Sequence, residues 1–328
     1  MPDSAERWVA LSALVAGLAV PGMARADENG VPFWLSGQQA SFAAVPATPG
    51  WGLTLLPYGY SGNAGGNASF PRGNGVASSL DAQLVLGVAL ISFAPETKVL
   101  GGQLNLGVAV VPGVSETSAS ATAAFGGIPV PRNVSQSIAG FGDLYPIASI
   151  AWNQGVNNYM TYVTGDIPVG AYSATNLANL GIGHGAIDAG GAYTYFNPKT
   201  GREFSVTGGA TFNFQNPATD YTNGVDLHLD WEASQFITQQ VHVGLVGYVH
   251  QQITPDQYPT AGLAGAARAR LLGSFESAVA SVGPEVGFFF KFGAKQAYLN
   301  LRGYDEFWAQ NRVKGYAGFA TLHLPLGG

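Results

Sequence analysis

The chain has 328 residues, of which 10% are charged and 47% hydrophobic, with no cysteine and a net charge of −6. A typical soluble domain carries about 25% charged residues. The missing cysteines exclude disulfide frameworks, thiolate zinc sites and cysteine nucleophiles, and the acidic balance offers no basic surface to nucleic acid.

Apolar residues are plentiful, yet 46 glycines and regularly placed Ser, Thr, Asn and Gln interrupt them. Beyond the N-terminus no run of about 18 residues is apolar enough for a helical span. Lipid-facing strands produce such a composition, because only every second residue meets the hydrocarbon.

In chain order, residues 1–26 read as a secretory signal peptide. Trp8 to Val20 is an apolar stretch of the right length, followed by Pro21-Gly22 and the small-residue pattern Ala24-Arg25-Ala26, so cleavage is expected before Asp27. Arg7 is the only basic residue ahead of it, opposed by Asp3 and Glu6, which leaves an uncleaved membrane anchor as the alternative. The segment 27–50 contains Phe33-Trp34, Phe42 and several prolines. It is too irregular for a strand and too apolar for a free tail, and is expected to fold into the lumen as a plug from the periplasmic side.

Residues 51–328 are expected to form the barrel. The first strand is Trp51–Tyr60, and Leu84 to Ile91 follows, apolar on both faces. Leu104, Leu106, Val108 and Val110 alternate with Gln103, Asn105, Gly107 and Ala109, and Pro146 predicts a bulge in a later strand because it lacks an N–H. Phe204, Val206, Ala210, Phe212 and Phe214 alternate with polar neighbours. The clearest element is Val225 to Ser234: Val225, Leu227, Leu229, Trp231 and Ala233 take one face, and Asp226, His228, Asp230, Glu232 and Ser234 the other. Period-2 alternation of this kind makes a strand with one apolar and one charged face. Val241, Val243, Leu245 and Val249 likewise oppose His242, Tyr248 and His250, and Ala297, Leu299 and Leu301 oppose Tyr298, Asn300 and Arg302.

The connections alternate in length. Short ones at 94–98, 153–156, 197–202, 238–240 and 291–296 interleave with longer ones at 61–78, 113–137, 167–184, 215–223 and 251–275, and only the brief 309–312 departs. The fold class predicted is therefore all-β: a transmembrane up-and-down antiparallel barrel of about twelve strands, with both termini periplasmic. A soluble β-sandwich or lipocalin-like barrel is the alternative. Trp51, Tyr58, Tyr60, Trp152, Tyr193, Tyr195, Trp231 and Trp308 fall near strand ends, where interfacial aromatic girdles sit, though ordinary strand aromatics would look the same.

If the apolar faces meet lipid, a polar lumen lining follows: Asp226, His228, Asp230, Glu232, His242, Tyr248, His250, Glu285, Asn300, Arg302, Tyr304 and Glu306. Such residues either satisfy one another as packing or line a substrate path. Arg302 among carboxylates reads as a compensating charge. No metal site is expected: His242 and His250 lie eight residues apart on one strand, too far for one ion. No catalytic residue is expected either. Ser234 and His228 share a face without an orienting partner, and Gly181-Ile182-Gly183-His184-Gly185 lacks the Lys-Ser/Thr of a phosphate loop.

Several stretches resemble the family of the meta-pathway of phenol degradation (Phenol MetA deg), a group of outer-membrane transporters. They are Phe33-Trp34-Leu35-Ser36-Gly37-Gln38, Phe141-Gly142-Asp143-Leu144-Tyr145-Pro146, Thr164 to Tyr172, Leu177 to Asp188, Tyr193 to Asn197, Asn223 to Asp226 and Val241 to Tyr248. The resemblance implies uptake of small hydrophobic or aromatic compounds, without cofactor or catalytic residues. Its partners would be outer-membrane lipid, the barrel-assembly machinery and a small hydrophobic solute. The ending Leu324-Pro325-Leu326-Gly327-Gly328 departs from the terminal aromatic of many outer-membrane barrels. The alternative function is a non-transporting structural or adhesive barrel acting through the loops at 113–137, 167–184 and 251–275.

Overall fold

The computed structural model describes residues 32–64, 70–72, 75–77, 79–125, 128–257 and 276–327. The signal segment 1–26, the start of the following segment and most of 251–275 lie outside the described residues.

Twelve strands close into one antiparallel barrel. They are β1 (Gly50–Ala64), β4 (Ser79–Ala94), β5 (Gln103–Phe125), β6 (Ile128–Gln154), β7 (Asn157–Asp166), β8 (Ala186–Asn197), β9 (Arg202–Asn213), β10 (Asp226–Phe236), β11 (Val241–Gln252), β12 (Ala278–Phe292), β13 (Lys295–Gln310) and β14 (Lys314–Gly327). Each pairs with its neighbour in sequence, and β14 closes on β1 through pairs such as Tyr58↔Phe319. Two short strands, β2 (Phe70–Arg72) and β3 (Gly75–Ala77), pair with each other inside the β1–β4 connection.

The faces of each strand are reversed relative to a water-soluble sheet. On β10, Asp226 and Asp230 are 1% and 2% exposed, whereas Leu227 and Leu229 are 42% and 40% exposed. Val243, Leu245, Val249 and Leu301 continue the exposed apolar surface. The strand alternation is therefore kept, with charge inside and hydrocarbon outside.

At one end, which we call the near end, short connections join the strands at 95–102, 155–156, 198–201, 237–240 and 293–294. Gly50 and Gly327 begin and end the barrel there. The far end carries the 167–185, 214–225 and 253–277 connections and the tight 311–313 turn.

Three expectations are corrected. The loop expected at 113–137 is instead a continuation of the β5–β6 ladder, which runs out to Phe125↔Ile128. Pro129 and Pro131 are tolerated because β7 pairs only with Ile147–Gln154 of β6, leaving the outer part of β6 an edge. The bulge expected at Pro146 lies a few residues away: Pro146 pairs in register with Val108, and the shift falls between Val110 and Pro112. Here the missing N–H is that of Pro112. Finally, Tyr58 and Tyr60 do not join an outer girdle. Tyr58 is buried against Phe319, ring centroids 4.6 Å apart, and the Tyr60 hydroxyl donates to Glu306 Oε2 at 2.9 Å.

Candidate functional site: the barrel interior

Alternate residues of β10 to β13 turn inward, and together they build a polar wall. Asp226, His228, Asp230 and Glu232 lie along β10; His242, Tyr248 and His250 along β11; Glu285 on β12; Asn300, Arg302, Tyr304 and Glu306 along β13. None is more than 5% exposed. A buried charge without a partner is costly, and the wall supplies partners to several of these groups, although both carboxylate oxygens of Glu232 lack a hydrogen bond among the described residues. Glu306 accepts from the Tyr60 and Tyr248 hydroxyls and from Gly315 N, and Arg312 Nη2 lies 3.6 Å from its Oε1. Asn300 Nδ2 donates to Glu285 Oε2 at 2.9 Å, and Arg302 Nη1 donates to Asn300 Oδ1 at 2.9 Å.

The histidines separate onto different carboxylates. His228 Nε2 is 2.9 Å from Asp188 Oδ2, His250 Nε2 is 3.5 Å from Asp226 Oδ1, and His242 Nδ1 is 3.8 Å from Glu285 Oε1. Ser234 Oγ donates to Glu203 Oε2 at 3.0 Å, so Ser234 and His228 are each held by a different strand's carboxylate rather than by one another.

Residues 32–49 lie inside the barrel and dock on this wall. Trp34 stacks on His228 with ring centroids 3.8 Å apart and donates its indole N–H to Asp230 Oδ2 at 3.2 Å. The turn that follows is held from two sides. Gly37 N donates to Asp230 Oδ1 at 2.9 Å and Gln39 N to Oδ2 at 3.2 Å, while Arg302 donates to the Gly37 and Gln38 carbonyls. Gly37 has φ +83°, and a Cβ there would come within 2.9 Å of Tyr304 and 3.0 Å of Tyr248. Further along, Phe42 sits among Phe196, Phe236, His242, Phe289 and Tyr298 at centroid distances of 5.3–6.2 Å. Ala44 N donates to Thr194 Oγ1 at 3.1 Å.

The opposite wall is apolar. Leu56 of β1, Leu86 and Val88 of β4, Val111 of β5, Ile147 of β6 and Met160 of β7 face a cavity of about 350 Å³. Trp34, Leu35 and Gln38 of the inner segment bound it on one side, and Leu180, Gly181 and Ile182 of the 167–185 connection on another. A volume above about 300 Å³ with apolar walls and a few polar groups suits a small organic molecule. This explains the strand that is apolar on both faces: Leu84, Leu86, Val88 and Leu90 line the interior, while Val85 and Ile91 are 62% and 50% exposed outside.

The 167–185 connection folds inward because one carboxylate pins it twice. Asp143, at the β5–β6 register shift, accepts Gly170 N on Oδ1 and Ile182 N on Oδ2, both at 2.7 Å. Gly170 and Gly181 permit this approach, since a Cβ at either would meet Asp143 Oδ1 within 2.9 Å. His184 closes the same connection. Its Nδ1–H donates to the Gly185 carbonyl at 3.0 Å and its Nε2 accepts from Asn223 Nδ2 at 3.3 Å, the pattern of a neutral ring. Burial holds its pKa below the ordinary histidine value.

Asp188, Glu203 and Asp143 join the site although no local pattern in the sequence gives them an interior role. Asp188, fully buried, gathers the Tyr162 hydroxyl at 2.8 Å and Thr211 Oγ1 at 2.6 Å besides His228. The available signal was a lone carboxylate in a strand of small and apolar residues, Ala186-Ile187-Asp188-Ala189-Gly190. No local pattern names its partners, which come from β7, β9 and β10.

Inverted faces, short and long ends and an interior occupied by the chain's own N-terminal segment define an up-and-down β-barrel with an apolar exterior. The chain belongs to the family described as "Putative MetA-pathway of phenol degradation", whose model matches residues 64–322. Among solved structures it is similar to an outer membrane channel from Pseudomonas putida F1, at 13% identity over 86% of this chain and 97% of that one, with a TM-score of 0.61. A FadL homologue from Pseudomonas aeruginosa is also similar, at 13% identity over 92% of this chain and 82% of that one, with a TM-score of 0.41. The likeness to the Pseudomonas putida channel is one of fold. No curated protein sequence matches the chain.

Proposed function

We propose that the chain is an outer-membrane channel for uptake of small hydrophobic molecules, aromatic ones included, and not an enzyme. The observation that carries this is the pair of apolar surfaces separated by one strand thickness: an exterior of exposed Leu, Val, Ile and Phe, and an interior cavity lined by Leu56, Leu86, Val88 and Met160. The exterior suits the hydrocarbon of a bilayer. The cavity suits a solute that would otherwise have to cross a charged, hydrated surface layer unaided.

Export through the 1–26 signal brings the chain to the barrel-assembly machinery, closure of β14 on β1 completes the ring of paired strands, and lipid covers the outside. Inside, residues 32–49 act as a plug that leaves the apolar sector open. The polar wall holds the plug, and the apolar wall serves the solute. No cofactor or nucleic acid enters this scheme. The outer-membrane channel from Pseudomonas putida F1 shares the fold.

Reconstitution of the intact barrel in liposomes, with and without residues 32–48, tests the reading. Deletion is expected to raise the swelling rate for small solutes several-fold. Equal rates in the two forms would overturn the plug, and failure of an apolar fluorescent probe to bind either form would overturn the cavity.

A further inference from the structure

The apolar cavity does not end blindly. Toward the far end it meets a smaller space of about 60 Å³, and the two share Trp34, Leu35, Leu84 and Asn179 in their walls. The character of the wall changes across this junction. Beyond Leu84 the lining side chains include Ser36, Tyr58, Ser115 and Thr117, each no more than 9% exposed. These are hydroxyl groups, each able to donate and to accept.

Two further observations mark the small space as a place for a ligand's polar end. Ser36 Oγ is buried with no hydrogen-bond partner among the described residues, a state that costs free energy unless something supplies the missing bond. Among the described residues, the formal charges in the same wall are Glu306 and Arg312, which stand 3.6 Å apart and compensate each other. A carboxylate placed here would be repelled by Glu306 as it is drawn to Arg312, and an ammonium the reverse, so either would lose its hydration without gaining a net countercharge. An uncharged group meets neither penalty. Size assigns the ends: the space of about 60 Å³ takes a head group, the cavity of about 350 Å³ takes the body.

We propose that the barrel selects an uncharged hydroxyl-bearing amphipath, its apolar body lying among Leu56, Leu86 and Val88 and its hydroxyl held by Ser36, Tyr58, Ser115 and Thr117. This rests on the uptake reading above and narrows its substrate class. The head group enters the polar space by exchanging hydrogen bonds with water for bonds to the wall, so the hydroxyl is not stripped bare on the way into the apolar cavity. A pure hydrocarbon leaves Ser36 unsatisfied, and a charged head pays for desolvation beside a pair that is already neutral.

The test uses the full barrel in lipid nanodiscs with 1-N-phenylnaphthylamine as the probe, signal from empty nanodiscs subtracted. The probe is displaced with 1-decanol, decyl methyl ether, decanoate and decylammonium at matched lipid-phase concentrations. Decanol is expected to displace it at roughly tenfold lower concentration than either ion. Ser36→Ala and Thr117→Val are each expected to weaken decanol by about fivefold, the worth of one hydrogen bond, and to weaken the ether less, since its oxygen accepts but cannot donate. Decanoate or decylammonium matching decanol would overturn the neutral head, and undiminished decanol displacement in both variants would overturn its location. Absence of any probe binding to the unaltered barrel would overturn the cavity reading itself, a result distinct from probe binding without preference for the alcohol.

Discussion

Asp230 and Arg302, on strands three apart in the barrel wall, grip opposite sides of one peptide turn. Asp230 Oδ1 accepts the Gly37 N–H at 2.9 Å, and Arg302 Nε and Nη2 each donate to the Gly37 carbonyl at 3.1 Å. Neither residue forms its principal contact with the other. The inner segment completes the pairing of two buried charges, so releasing the segment leaves both exposed to the penalty of an unmatched ion.

Replacing Arg302 by Met keeps a long stem over Phe319, where the guanidinium now lies 4.6 Å from the ring, and removes the donors. Loss of a hydrogen bond to a charged group costs about 2 kcal/mol, or roughly thirtyfold in the population of the released segment. Single-channel recordings are expected to show a matching rise in open time. Recordings identical to those of the unaltered barrel would sink the idea that this turn is the fastening.

The positive φ of Gly37 makes a second, geometric prediction. An alanine there combines a left-handed conformation with contacts at 2.9–3.0 Å to Tyr304 and Tyr248, a loss of at least about 1 kcal/mol. Because the chain has no cysteine, a single one placed at Ala43, beside the cavity, reports access. Gly37→Ala is expected to speed its reaction with a water-soluble maleimide about fivefold or more; an unchanged rate would argue that the segment does not depend on this turn.

The apolar sector can be tested from both faces of one strand. Val88→Arg puts a charge into the cavity, where burial without a partner costs several kcal/mol, and should lower affinity for an apolar fluorescent probe at least about tenfold. Val85→Ala, on the outward face of the same strand, should leave it unaltered. Equal losses in the two variants would point to a general folding defect.

His184 carries a pH prediction. Its folded-state pKa is lowered by burial, so on acidification the opened connection takes up a proton before the closed one does. The closed 167–185 connection is therefore at full stability above the ordinary histidine pKa of about 6.5 and loses stability as pH falls below it. Limited proteolysis of this connection should accelerate between pH 7.5 and pH 5, and His184→Gln should flatten the dependence. An equally steep pH profile in His184→Gln would move the cause elsewhere.

Much of this architecture is legible in one dimension because strand geometry is local. Asp226 to Ser234 alternates with Leu227 to Ala233, and that period alone assigns opposite faces to the two sets. The short connections likewise show which strands are neighbours, from which the twelve-stranded barrel follows. Between residues 113 and 137 a ladder and a long loop would contain similar Ser, Thr and Ala residues, and only the pairing of β5 with β6 distinguishes them.

The interior was decided by tertiary structure. Period 2 states that Leu86 and Asp230 both turn inward, but not that they face different sectors of the lumen. Nor does it state that residues 32–49 settle against the polar sector and leave a cavity against the other. Those outcomes depend on contacts between residues some 190 to 270 positions apart, such as Gly37 with Asp230 and with Arg302. Alternation specifies the inside and outside of a barrel wall, because it is a property of one strand. Only closure of all the strands determines which inward-facing side chains meet the segment and which remain free to meet a solute.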